Sequence, residues 1–246
     1  MVVLGHGFGS DRSVWDPIVA RYARRAKRLT FDLDYLNRPT CGSPPHQTLP
    51  AHADDLMQLM LEVELRDAWY VGHSVGGMIG ALASLAHGCA FSRLVLLNVS
   101  PRYLDDVDYV GGFTHQKLDQ LYADVRRNYE AWVLGFAPAA AGDASDGIVA
   151  DFAHSLTSLR PDIALSVLRM DFESDLREIL PVLDAEVTLI HTRRDFAVPG
   201  AVADHMAAHI RQARRCWLET VGHMPHVTAP DLTMPALDDA LFGLTT

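Results

Sequence analysis

Cysteine is scarce in this sequence. Cys41, Cys89 and Cys216 are the three among 246 residues, scattered and odd in number. That argues against a disulfide framework or a Cys-x-x-Cys metal site and fits a reducing compartment. Basic charge is short as well: 21 Lys and Arg stand against 31 Asp and Glu, for a net charge of −10. Such an acidic chain is a poor partner for nucleic acid or for an anionic membrane. The apolar run after Ser74 is too short, and too rich in Gly and Ser, to span a bilayer. No basic stretch followed by a long apolar one opens the chain, so no secretion signal is expected and the location reads as cytoplasmic. Internal repeats, long linkers and low-complexity segments are also missing. What remains is an ordinary globular balance, 49% hydrophobic and 21% charged. It suits one domain over residues 1–246.

Apolar strands alternate with amphipathic helices along most of the chain. Val2-Val3-Leu4 reads as a buried strand entering the glycine-rich loop Gly5-His6-Gly7-Phe8-Gly9. Val14, Trp15, Ile18, Val19 and Tyr22 recur at helical spacing behind Ser10 or Asp11 as cap. Arg21, Arg24, Arg25, Lys27 and Arg28 read as a solvated helix face. Residues 29–33 form a second strand and 34–50 a proline-rich loop. A helix follows, with Leu56, Leu59, Met60 and Val63 on one side. Residues 68–71 and 93–98 are strands, the latter apolar enough to be covered on both faces. From His115 to about Phe172 nothing reads as a strand. Helices are expected near 115–127, 128–136, 145–159 and 161–172, punctuated by Pro138, Gly142 and Pro161. Alternation then resumes with a strand at 187–190, a helix at 202–210, a strand at 216–219 and a helix at 231–241. The pattern predicts an α/β fold, a mostly parallel sheet with helices on both faces. The insertion at 101–175 is expected to form a four-helix lid over the sheet's active end.

The chemistry centres on Gly72-His73-Ser74-Val75-Gly76. Trp69, Tyr70 and Val71 end a strand before it, and the small apolar residues from Met78 to Ala86 form a helix after it. Strand, sharp turn and helix are the context of a nucleophile elbow, with Ser74 at the tip. A serine hydroxyl needs a base. In this architecture an acid and then a histidine follow later in the chain, each just past a strand. Asp195 and His223 occupy those places. The expected triad is Ser74 as nucleophile, His223 as general base and acid, and Asp195 as the group orienting the imidazole. The expected oxyanion hole is the amides of Val75 and Phe8, and the Phe8 side chain would wall the pocket. His205 and His209 have a spacing zinc could use, but the Glu of His-Glu-x-x-His is absent, so no metal and no cofactor are expected. Trp132, Phe136 and Phe172 could equally be helix packing or pocket lining.

Several longer motifs then align with a known group. They are His6-Gly7-Phe8-Gly9, Ser100-Pro101-Arg102-Tyr103, Asp108-Tyr109-Val110-Gly111-Gly112-Phe113, Asn128-Tyr129-Glu130-Ala131-Trp132, Gly135-Phe136-Ala137-Pro138, Arg160-Pro161-Asp162-Ile163 and Ser174-Asp175-Leu176-Arg177. With the Ser74 motif they resemble the plant strigolactone and karrikin receptor family of α/β-hydrolases. The resemblance implies a V-shaped lid over a deep apolar pocket and slow hydrolysis of butenolide lactones or small esters. A product could remain attached to His223. It implies a pocket lined by Phe8, His73, Tyr129, Trp132, Phe136, Thr157, Phe172 and Met224. Thr157 stands where a lid phenylalanine is common, a change that would make the pocket wider or more polar. The resemblance further implies docking of an F-box protein and a repressor, and a nuclear as well as a cytoplasmic location. The triad alone would serve a general esterase equally, and the pocket alone a non-catalytic binding module. Two further N-terminal strands usual in the family are not in this sequence. That predicts an open sheet edge unless something covers it.

Overall fold

The computed structural model describes residues 1–35, 48–86 and 91–244, so most of the expected 34–50 loop, with Cys41, and Cys89 lie outside the described residues. Six strands, β1 (Val2–Gly5), β2 (Arg28–Thr30), β3 (Ala68–His73), β4 (Phe91–Leu97), β5 (Glu186–Arg194) and β6 (Ala213–Val221), pair in parallel in the order β2-β1-β3-β4-β5-β6. Parallel strands need crossovers, and the helices that make them cover both faces. On one face α1 (Asp16–Arg21) and α10 (Pro230–Phe242) pack Trp15, Ile18, Tyr22, Leu237 and Leu241 against Val2, Leu4, Val71, Val95, Leu97 and Ile190. Alternate residues of the same strands, Val3, Tyr70, Leu94, Leu96 and Leu189, face the other layer. That layer contains α2 (Leu49–Glu62), α3 (Val75–Ala86) and α8 (Gly200–His209). Among the described residues β2, only three residues long, forms one edge of the sheet and β6 the other. A short edge strand offers little template to another chain.

Four helices stand between β4 and β5: α4 (His115–Arg127), α5 (Tyr129–Ala141), α6 (Asp146–Thr157) and α7 (Pro161–Phe172). Thr114 and Asn128 cap α4 and α5 with their side chains, accepting from the amides of Lys117 and Ala131 at 3.2 and 3.0 Å. The sequence reading ended α5 near residue 136. It runs on through Pro138 to Ala141, because Ala137, Ala140 and Ala141 are fully packed. Pro138 leaves the Leu134 carbonyl without its helical donor, and Leu134 is exposed, so water can supply one.

The basic cluster is more engaged than a solvated face. Arg21 and Arg25 pair with Asp238 of α10, and the Arg28 guanidinium donates to the carbonyls of Tyr22, Ala23 and Ala26. Among the described residues no helix is long and apolar enough to cross a membrane.

Candidate active site

One residue, Ser74, separates the end of β3 from the start of α3. Its φ is +51°, a region in which a side chain costs on the order of 1–3 kcal/mol. The turn can be that tight because its flanks carry no side chains. A Cβ on Gly76 would lie 2.1 Å from the His6 carbonyl oxygen, and one on Gly72 would lie 2.5 Å from the Cα of Gly77. Tyr70 Oη fixes the turn by donating to the Gly76 carbonyl at 2.7 Å.

Ser74 Oγ lies 2.9 Å from His223 Nε2, and His223 Nδ1 lies 2.6 Å from Asp195 Oδ2. A carboxylate only accepts, so Nδ1 bears the proton and Nε2 is free to accept from the serine. The Asp195 side chain is wholly buried, and its second oxygen takes the Ala197 amide at 2.8 Å. Asp195 directly follows β5 and His223 follows β6 by two residues. The structure therefore brings together three groups that the sequence places far apart.

The backbone of His223 is held by Asn98 and Thr192, which the sequence reading did not single out, and by His73, which it placed in the pocket lining. Asn98, fully buried just after β4, donates from Nδ2 to the carbonyls of Gly222 and His223 at 3.2 and 3.0 Å. Its Oδ1 accepts the Thr192 amide at 2.9 Å, and Thr192 Oγ1 donates to the Gly222 carbonyl at 2.8 Å. His73 Nε2 donates to the His223 carbonyl at 2.8 Å, and the His223 amide donates to the Ala140 carbonyl at 2.7 Å. That last bond ties the general-base candidate to the end of α5. The signal available in the sequence was a polar Asn and a polar Thr at the ends of otherwise apolar strands.

Val75 opens α3, where the first amides have no acceptor within the helix. The loop after β1 passes close to the elbow, since a Cβ on Gly7 would fall 3.1 Å from Ser74 Cβ. His6 holds that loop: its Nδ1 donates to the Gly7 carbonyl and its Nε2 accepts the Leu33 amide, both at 2.9 Å. The backbone at Gly7, one residue before Phe8, and that of Val75 thus both stand beside Ser74.

Ser74 and His223 open onto a cavity of about 30 Å³, room for roughly one water. Of the expected lining, Phe8, His73, Phe136, Phe172 and Met224 form its wall. Three expected residues do not. Tyr129 is buried in the helical layer, where its hydroxyl donates to the Leu156 carbonyl at 2.7 Å. Trp132 stacks behind Phe136, with ring centroids 4.5 Å apart. Thr157 is exposed at the end of α6 and donates to the His154 carbonyl at 2.9 Å, so it neither widens nor polarises the cavity. The wall also contains Tyr103, Ala140, Phe152, Asp171, Phe196 and Ala197, which sequence patterning gave no reason to select. Asp171 in particular lies in the last turn of an amphipathic helix, where a charge ordinarily faces water. Here it is 4% exposed, and burial pushes its carboxyl up to about 7.

A larger groove, about 460 Å³, lies between residues 10–14 and α6 and shares Phe152 and Met224 with the small cavity. Phe152 is therefore a partition. Phe152→Ala is expected to join the two spaces and raise the ratio of kcat/KM for an octanoate ester to that for an acetate ester about tenfold, roughly the worth of a methylene or two in a pocket. The same change should lower stability by about 3 kcal/mol. Chromogenic esters of graded length check the first outcome and urea unfolding the second. An unchanged chain-length profile would show that Phe152 does not limit access.

Comparison with known proteins agrees with this geometry. The Alpha/beta hydrolase family model matches residues 2–236. A karrikin insensitive 2 receptor of Petunia hybrida is 40% identical over 241 residues, 96% of this chain and 89% of the relative. A strigolactone esterase of Pisum sativum is 38% identical over 245 residues, covering 98% of this chain and 92% of the relative. The solved structure of a hydrolase from Oleispira antarctica superposes with a TM-score of 0.90 at 25% identity, over 96% of this chain and 88% of that one. The fold, the strand-end positions of Ser74, Asp195 and His223, and these similarities lead to one assignment: the chain belongs to the alpha/beta hydrolase family, in the branch that holds the karrikin and strigolactone proteins.

Proposed function

We propose that this chain is a serine hydrolase of small lactones or esters, of the butenolide type. The observation that carries the reading is the continuous hydrogen-bonded line from Asp195 through His223 to Ser74. In this mechanism Ser74 Oγ attacks the substrate carbonyl carbon while His223 Nε2 takes its proton. The electron pair moves to the carbonyl oxygen, which faces the amides of Phe8 and Val75. One such donor is worth about 100- to 1000-fold in rate. His223 then returns the proton to the departing oxygen, and the same steps with water release the acid and restore Ser74. Asp195 keeps Nδ1 protonated and stabilises the imidazolium that forms on the way.

The helices α4–α7 act as a lid over Ser74, coupled to the catalytic loop by the Ala140–His223 bond. Such coupling gives ligand occupancy a route to the surface of the lid, where an F-box protein and a repressor would dock, the partners that the family resemblance implies. Two measurements on the wild-type protein test the reading: release of the ring from a synthetic butenolide enol ether, and labelling of Ser74 by a fluorophosphonate. Both are expected, with intact mass reporting any adduct left on His223. Labelling without ring release would favour a general esterase of small acyl groups, which the 30 Å³ cavity suits. A protein that does neither overturns the catalytic reading.

A further inference from the structure

A carboxyl buried in an aromatic cavity weakens a fold in a way that a leucine of similar size would not. Asp171 is such a group. It shares the cavity wall with Ser74 and His223, and no Lys or Arg stands beside it among the described residues. Its polar neighbours on the cavity wall are the Tyr103 hydroxyl, which also interacts with Ser74, and His223, while Tyr35 and Tyr122 lie within its electrostatic reach outside that wall. Around them the wall is made of phenylalanine rings, Phe8, Phe136, Phe152, Phe172 and Phe196. Tyr103 is itself fixed, with its ring packed 4.5 Å from that of Phe172. Two hydrogen-bonding groups thus converge at one point of an otherwise apolar cavity, beside the reacting serine.

We propose that Asp171 and Tyr103 form a polar subsite that receives an uncharged hydroxyl group on the substrate, next to its scissile carbonyl. This rests on Ser74 being the nucleophile, since the subsite is defined relative to it. Charge selects the ligand class. An ammonium group would sit near the imidazolium that forms on His223, and a carboxylate would face both Asp171 and Asp195. A hydroxyl both donates and accepts, which matches a carboxyl and a phenol together. Burial pushes the Asp171 carboxyl up to about 7, so near neutral pH the protonated acid is on hand as a donor as well as an acceptor. A substrate that is hydrocarbon at this point would leave the two groups with no partners beyond each other and Ser74.

The test has two arms. In the first, kcat/KM is measured for p-nitrophenyl butyrate and p-nitrophenyl 3-hydroxybutyrate with wild type, Asp171→Asn, Asp171→Leu and Tyr103→Phe. Wild type is expected to favour the hydroxylated ester. Asp171→Leu should lower the hydroxy-to-plain ratio about 10- to 100-fold, the range for one buried hydrogen bond. Tyr103→Phe should lower it about tenfold, and Asp171→Asn, which still donates and accepts, should retain most of it. A ratio unchanged in both Asp171→Leu and Tyr103→Phe overturns the subsite while leaving the hydrolase reading standing. If Asp171→Leu does not fold, Tyr103→Phe alone decides. In the second arm, Ser74→Ala protein is titrated with 3-hydroxy-γ-butyrolactone and with γ-butyrolactone, followed by ligand-observed NMR. Tighter binding of the hydroxylated lactone, lost when Tyr103→Phe is added, supports the subsite even where wild type turns over neither ester. Equal binding of the two lactones overturns it.

Discussion

Ester hydrolysis by Ser74→Ala is expected to fall by about 10⁴- to 10⁶-fold from wild type, the range in which a triad loses its nucleophile. Asp195→Asn should cost about 10⁴-fold for a different reason. The Asp195 carboxylate accepts from His223 Nδ1 at 2.6 Å and from the Ala197 amide at 2.8 Å, so both oxygens are committed. An amide in its place offers one acceptor and one donor. If the acceptor stays on Ala197, the donor faces His223, the imidazole proton moves to Nε2, and no base faces Ser74. The serine itself remains in place, so fluorophosphonate labelling of Asp195→Asn should be slow rather than absent, whereas Ser74→Ala should show none. Both variants should still bind the substrate, because Ser74→Ala takes only one hydroxyl from the cavity wall and Asp195 is not part of it. A Ser74→Ala protein that folds as wild type does and keeps more than about 1% of its esterase activity would remove Ser74 from the mechanism, since even a donor-only site supplies only the residual rate.

The sequence carried the parts of the site that local chain chemistry dictates. Gly72 and Gly76 announce a turn with no room for side chains, and the apolar residues before and after them announce the strand and helix that the turn joins. Asp195 and His223 could be placed because each follows a run of apolar residues at the end of a strand. Asn98 and Thr192 were harder, since their work is to satisfy the Gly222 carbonyl, in a loop 124 residues from the one and 30 from the other. Nothing in the neighbouring residues encodes such a partner. The cavity wall was partly legible for a related reason. A phenylalanine on a helix says that it is buried, not against what. Trp132 and Phe136, four apart on α5, show the limit: one lines the cavity and the other backs it, and only the rotation of the helix decides. Asp171 was illegible because amphipathic patterning assigns a charge to water, and function is what breaks such patterns. The end of α5 was misplaced because Pro138 normally stops a helix, and packing of Ala137 and Ala140 outweighed it.

Acid should weaken this protein steadily from pH 6.5 down to pH 4, and buried imidazoles are the reason. His226 is fully buried, stacked on Trp15 and tilted against His73 with ring centroids 4.5 Å apart in each pair, and neither of its ring nitrogens has a hydrogen-bond partner among the described residues. Burial holds it at about 3 and His191 at about 4, with His73 also well below its ordinary 6.5. Below pH 6.5 these groups gain protons when the chain unfolds but not while it is folded, so stability is full above that pH and lost as the pH falls. From 6.5 to about 3 for His226 and to about 4 for His191 amounts, at about 1.4 kcal/mol per pH unit, to roughly 8 kcal/mol. Asp171 acts in the opposite sense. Its folded value of about 7 exceeds the unfolded 3.8, so the folded chain binds that proton first and gains roughly 4 kcal/mol over the same descent. The histidines win, and His73 adds to their side. Against a total stability on the order of 5–15 kcal/mol, the net loss of roughly 4 kcal/mol, to which His73 adds, is a large fraction of what holds the fold. Urea unfolding at pH 7, 6, 5 and 4 should therefore give a falling free energy. His226→Phe, which keeps a ring against Trp15 and removes the titrating nitrogens, should lower the pH slope by about one proton, or about 1.4 kcal/mol per pH unit. A wild-type stability that rises on acidification, or a slope untouched in His226→Phe, would mean that the imidazoles take up protons without unfolding and that the histidine cluster beside the triad is open to water.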